Sequence, residues 1–221
     1  MTMNVLETVK KLAPHARSNY LEAISQGGQL FEQHGITTPL RMAHFLAQAL
    51  HESGGFSFLR ENMNYSKKGL IKIFGVGHHS AKVTEAEADR LARHPEEIAE
   101  RVYGLGNPRK AEELGNIKPG DGFRYRGNGF FQITGRSIHK RMGDVCGIDF
   151  EGNPDLVTVP EHALKPALQF WTDRKLNSFA DKNDLRSITK RINGGLNGFT
   201  ERKRLFEKAW VLLKETSQPI L

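Results

Sequence analysis

Cysteine is almost missing from this chain: Cys146 is the only one among 221 residues. One thiol cannot close an internal disulfide or build a cysteine metal cluster, so the expected compartment is a reducing cytoplasm. Long apolar runs are lacking as well, and no segment is expected to span a membrane. The opening stretch, MTMNVLETVKKLAPHARSNY, does not have the charged-then-apolar layout of a secretory signal. Nine histidines are present, yet none stands in HExxH or another metal-ligand spacing, so neither a catalytic metal nor another cofactor is expected. P-loop, GxGxxG and nucleophile-elbow patterns are absent, which argues against nucleotide chemistry and a Ser-His-Asp triad. Repeats and low-complexity linkers do not occur.

What remains suffices for a proper core. Hydrophobic residues make up 38% of the chain, with 13 phenylalanines among them. This length suits a single domain over 1–221, or one domain with an elaborated lobe. The formal net charge is +7. A basic chain is drawn to polyanions, whether nucleic acid, anionic lipid or bacterial wall polymer. Its basic residues are scattered (VKK, SKK, DRKL, ERKR), so for any one cluster a solvated surface is the simpler reading.

Helical patterning dominates. In TPLRMAHFLAQALHES, 38–53, Thr38 stands as an N-cap with Pro39 at the first helical position. Met42, Phe45, Leu46, Ala49 and Leu50 recur at helical spacing, and Gly54-Gly55 ends the helix. Further helices are predicted near 84–102, 161–176, 183–192 and 199–215, with Pro166 bending or delaying the second of these. Leu205, Phe206, Ala209, Trp210 and Leu213 share a face of the last. GFFQIT at 129–134 is predicted as a strand, and 103–128, rich in Gly, Asn and Pro, as loop. The fold class is mainly α with a small β element.

Two glutamates stand out beside the Gly-Gly pair. Glu52 follows Phe45 by seven residues and so continues the apolar stripe at the helix's C-terminal end. Burial and the negative end of the helix dipole both disfavour its charged form, which suits a proton donor. The alternative is a glutamate that turns to water at a fraying end. Glu61, nine residues on, would face away on a continuous helix. The glycines let the chain reverse and return it. An inverting glycosidase needs two carboxyls roughly 6.5–9.5 Å apart with a water between them. Read alone, Glu61 is a surface residue paired with Arg60 or a lysine.

Strand periodicity puts Gln132 and Thr134 on one face, where amide and hydroxyl suit sugar hydroxyls or an attacking water; a solvated edge is the plain alternative. The preceding GDGFRYRGNG, which contains Tyr125, has glycines that permit close approach of a ligand to the backbone. Asn193, in RINGGLNG, either caps its helix or binds a ligand. Arg202 sits at the start of a helix, against the dipole, which hints at a carboxylate partner. His51 reads as packed or exposed beside Glu52 rather than as a base.

Together, AHFLAQALHESGGF, ENMNYSKKGLIKIF, RHPEEIAERVYG, GDGFRYRGNGFFQITGR and RINGGLNG resemble the family-19 glycoside hydrolases, in particular their phage endolysin branch. The resemblance covers roughly 40–205. It implies a lysozyme-like fold with a substrate cleft and inverting cleavage of β-1,4 links between N-acetylated amino sugars. Glu52 matches the family's general acid, Glu61 the general base as the endolysin branch places it, and Thr134 the residue that helps hold the water. Gln132 and Asn193 match substrate-binding positions, Arg202 matches an arginine near the acidic pair, and Tyr125 is grouped with the substrate-binding set. Two positions depart from the family pattern: Asn128 replaces an arginine, and Ile138 stands where asparagine is frequent.

The resemblance and the charge point to peptidoglycan strands in an anionic envelope, favoured by the endolysin-like inserts around 65–103. The expected setting is a monomer made in the cytoplasm of an infected bacterium and released by a separate holin-type membrane protein. No nucleic-acid partner and no separate wall-binding module are expected. Rival readings are a chitinase acting on chitin oligosaccharides, a lytic transglycosylase with one glutamate and no water, and a non-enzymatic polyanion binder.

Overall fold

The structure, a computed structural model, describes residues 3–216. Its helices are, in chain order, α1 (Val5–Leu12), α2 (Ser18–Gln26), α3 (Gly28–Gln33), α4 (Pro39–Glu52) and α5 (Lys67–Phe74). Then come α6 (Glu85–Leu91), α7 (Pro95–Tyr103), α8 (Pro108–Leu114), α9 (Asp121–Arg124) and α10 (Arg136–Cys146). A short 3-10 turn, Pro154–Thr158, leads to α11 (Pro160–Asp173), α12 (Leu176–Ala180), α13 (Leu185–Asn193) and α14 (Phe199–Thr216). The mainly α class is borne out. None of these helices is long and apolar enough to cross a membrane.

The chain divides into two compact units. The first comprises Met1–Leu59, Gly129–Phe131 and Val157–Leu221. Its centre is α4, which forms where the sequence places it: the Thr38 side chain accepts the Arg41 N–H, and Pro39 opens the helix. The predicted apolar stripe is buried, and so is every residue from Met42 to Leu50. A helix buried all round is a core helix rather than an amphipathic surface one. Helix α14 packs along it, and Phe45 meets Phe31, Phe131 and Trp171 edge-on at 5.5–5.6 Å. Pro166 lies inside α11 without ending it.

The second unit comprises Arg60–Asn128 and Gln132–Leu156. Helices α5, α6 and α7 build a core of their own around Leu70, Phe74, Leu91, Ile98 and Val102, with Tyr65 and Tyr103 packed against it. Helix α9 lies close against α7, where a methyl group on Gly122 would come within 2.5 Å of the Ala99 carbonyl oxygen.

Three expectations are corrected. The helix over 84–102 is two helices, because Pro95 disfavours helical backbone at His94 and restarts the helix as its own first residue. The loop over 103–128 contains α8 and α9, short helices whose few turns carry too little periodicity to read. The strand at 129–134 is a turn: Gly129 and Gln132 take positive φ (74° and 47°), and Asn128 pairs back onto Ile133 as an isolated bridge. The β content of the described residues is such bridges.

Candidate active site

In the first unit the site is built at the end of α4. Glu52 is the last residue of that helix, and its side chain is 21% exposed, so a ligand can reach it. Arg202, from the first turns of α14, is buried and donates from Nη2 to Glu52 Oε1 at 2.5 Å. From Nη1 it donates to Gln48 Oε1 at 2.5 Å, and from Nε to the Asn197 carbonyl at 3.4 Å. The carboxylate partner that the position of Arg202 implied is therefore Glu52. Gln48, one turn earlier on α4, completes its hydrogen bonds by donating to Thr189 Oγ1 at 3.4 Å. A buried guanidinium with its donors shared among three acceptors is held rigidly, and it holds Glu52 in turn.

His51 is half-buried. Its ring packs so closely on Gly198 that a methyl there would meet Nε2 at 2.2 Å. Burial, with the Arg202 charge second, moves this imidazole below its ordinary range, so it stays neutral beside Arg202. Asn193 ends α13; its side chain accepts from Gly195 N–H and donates to the Asn197 carbonyl, tying the RINGGLNG loop, while left-handed Gly194 serves as the helix cap.

In the second unit the site is built around Gly127. A methyl placed on Gly127 would stand 3.1 Å from Gln132 Oε1, 3.3 Å from Thr134 Oγ1 and 3.5 Å from Glu61 Oε2. Three side-chain oxygens thus converge on Gly127, where the absence of a Cβ leaves them room. The Glu61 main chain is pinned by its N–H donating to the Gly127 carbonyl at 2.7 Å and by Arg126 Nε donating to its own carbonyl at 3.3 Å. Glu61 Oε1 accepts from the Tyr103 hydroxyl at 3.0 Å. Burial pushes the Glu61 carboxyl above the ordinary carboxylate range, against opposing hydrogen bonds from Tyr103 and Gly127 and the Arg126 charge. A carboxylate raised toward neutrality is the stronger base. The reading of Glu61 as a surface residue paired with Arg60 is corrected: Arg60 pairs with Asp155.

Thr134 donates to the Gln132 carbonyl at 3.1 Å, so its oxygen is left as an acceptor toward Gly127. Tyr125, grouped with the substrate-binding residues, is buried; its hydroxyl donates to the Glu151 carbonyl at 2.9 Å and its ring lies under Arg136. These contacts hold its side chain within the fold. Gln48, Tyr103 and Gly127 were not singled out from the sequence. A polar residue inside an apolar stripe was the available signal for Gln48, and the glycines of GDGFRYRGNG were the signal for Gly127; Tyr103 offered none. Among the described residues, no group of three or more His, Cys, Asp or Glu side chains could hold a metal ion.

No family model matches the chain. A glycosyl hydrolase family 19 domain-containing protein of Haemophilus influenzae is 38% identical over 219 residues, covering 96% of this chain and 98% of its own. The chain belongs to glycosyl hydrolase family 19. It is a glycoside hydrolase. Chitinase 8 of Oryza sativa subsp. japonica matches over 48 residues at 42% identity, 21% of this chain and 18% of that one. Chitinase C of Streptomyces griseus superposes with a TM-score of 0.61 at 18% identity, over 96% of this chain and 77% of that chain. A further bacterial family 19 chitinase superposes at 0.60 and 18% identity, over 94% and 93%. The expected lysozyme-like fold is thus that of the family 19 chitinases.

Proposed function

We propose that this family 19 hydrolase cleaves β-1,4 links between N-acetylated amino sugars of peptidoglycan, with inversion, in an endolysin-type role. The observation that carries the hydrolytic reading is the convergence of Glu61, Thr134 and Gln132 oxygens on Gly127. A water seated there gives one hydrogen to Glu61 and the other to Thr134 or Gln132. Its lone pair is then left for the anomeric carbon. Glu61 takes the proton as the bond forms, and Glu52 donates a proton to the departing glycosidic oxygen. Arg202 fixes Glu52 through Oε1. Asn193 and Gln132 supply further contacts to the sugar.

The net charge of +7 supports an anionic wall as substrate. In this reading the enzyme is a monomer made in the cytoplasm of an infected bacterium, and it reaches the wall after release by a separate holin-type protein. A chitinase is the second reading, favoured by the relatives and structures named as chitinases.

Digestion of purified peptidoglycan and colloidal chitin side by side separates the two. Faster release of soluble glycan from peptidoglycan is expected, and the reverse order replaces this reading with the chitinase. Glu52→Gln and Glu61→Gln each lose nearly all turnover while still binding glycan. Anomer-resolved NMR of the first product should show the α form; a β product would rule out inversion. Mass analysis showing 1,6-anhydro ends would point to a transglycosylase instead.

A further inference from the structure

We propose that Tyr103 is a positioning residue for the reaction: its hydroxyl holds one oxygen of Glu61 so that the other faces the space at Gly127. The inference rests on Glu61 being the general base. A carboxylate turns easily about its last torsion, which is broad and two-fold. The main-chain bonds that pin Glu61 do not stop that rotation. The Tyr103 hydroxyl restrains it, together with the Gly127 main chain, by engaging Oε1 at 3.0 Å, and Oε2 is the oxygen found beside Gly127 with Thr134 and Gln132.

Tyr103 is itself tightly placed. It is the last residue of α7, its ring stands perpendicular to Phe74 at 6.5 Å, and its carbonyl accepts from Asn116 Nδ2 at 2.9 Å. Asn116 is buried and anchored in turn by the Arg136 N–H at 2.9 Å. The separate core of α5 to α7 therefore delivers one hydroxyl to one carboxylate. The other titratable or charged groups acting on Glu61 are Tyr65 and Arg126; Arg60 is engaged by Asp155.

Tyr103→Phe keeps the ring and removes only the donor. It is expected to lower kcat roughly tenfold or more, leave KM within about twofold, and move the acid limb of kcat/KM up by about one pH unit. The direction follows from chemistry: the base must be ionised, and losing a donor favours its protonated form. A purely structural role for Tyr103 would lower the melting temperature and leave that limb in place. Fluorotyrosine inserted at 103 alone, a stronger donor, should retain kcat and move the limb down. It decides the matter if Tyr103→Phe does not fold. Wild-type kcat and an unmoved limb in either protein, with Glu61→Gln inactive, would overturn the role of Tyr103 alone. Wild-type turnover in Glu61→Gln would instead remove the base assignment, and this proposal with it.

Discussion

At the scale of single residues, the chemistry depends on groups whose importance lies in what they touch. Arg202 could be suspected from the sequence, since a cation at a helix start is uncomfortable without an anion nearby. Its anion is 150 residues away and its second partner, Gln48, is 154 away, and no spacing rule reaches so far. Gly127 is one of four glycines in GDGFRYRGNG, and nothing local sets it apart from the other three. It has no positive φ, so alanine fits its backbone, and its value is the room it leaves between three oxygens. Gly127→Ala is therefore expected to change stability by less than about 1 kcal/mol in urea unfolding. It should cut kcat/KM on glycan at least about tenfold, because a methyl crowds the three oxygens that hold the water. An active alanine variant would show that the space is not where the reaction runs.

At the scale of elements, the helix carrying Glu52 was legible almost to the residue, because an N-cap, a proline, an apolar period and a glycine stop all agreed. Its exit is equally well determined by short-range sterics. Gly54 and Gly55 take φ of 58° and 70°, and the Ser57 and Phe58 N–H groups both return to the Ser53 carbonyl. Gly54→Ala meets a left-handed backbone and places its methyl 2.6 Å from the Phe58 ring. A loss of about 1–3 kcal/mol is expected in thermal or urea unfolding. Gly55→Ala faces the same backbone cost with open space around it, so it should cost less. Helices near 161–176, 183–192 and 199–215 were also legible. The 84–102 stretch reads as one helix because apolar periodicity runs on through Pro95, which breaks the backbone.

At the scale of the molecule, each compact unit buries a histidine: His44 in the first and His139 in the second. Burial holds both imidazoles down to about 4, against 6.5 for an ordinary histidine. Below pH 6.5 the unfolded chain binds protons that the folded chain refuses. The contribution of neutral histidine is thus full above 6.5 and is lost as pH falls toward 4. Each residue accounts for on the order of 3 kcal/mol across that window. Unfolding free energy measured from pH 7 to 4 should fall steeply, and His44→Gln should flatten the slope. The sequence by itself determined what neighbours a few residues apart can settle: the helical class, the caps, the glycine corner, and through its motifs the family. Tertiary structure alone decided which oxygens meet, since Glu61 and Tyr103 lie 42 residues apart and Glu52 and Arg202 150. Periodicity reports only which face of an element is buried; the partner across that face is chosen by packing between elements that no local pattern encodes.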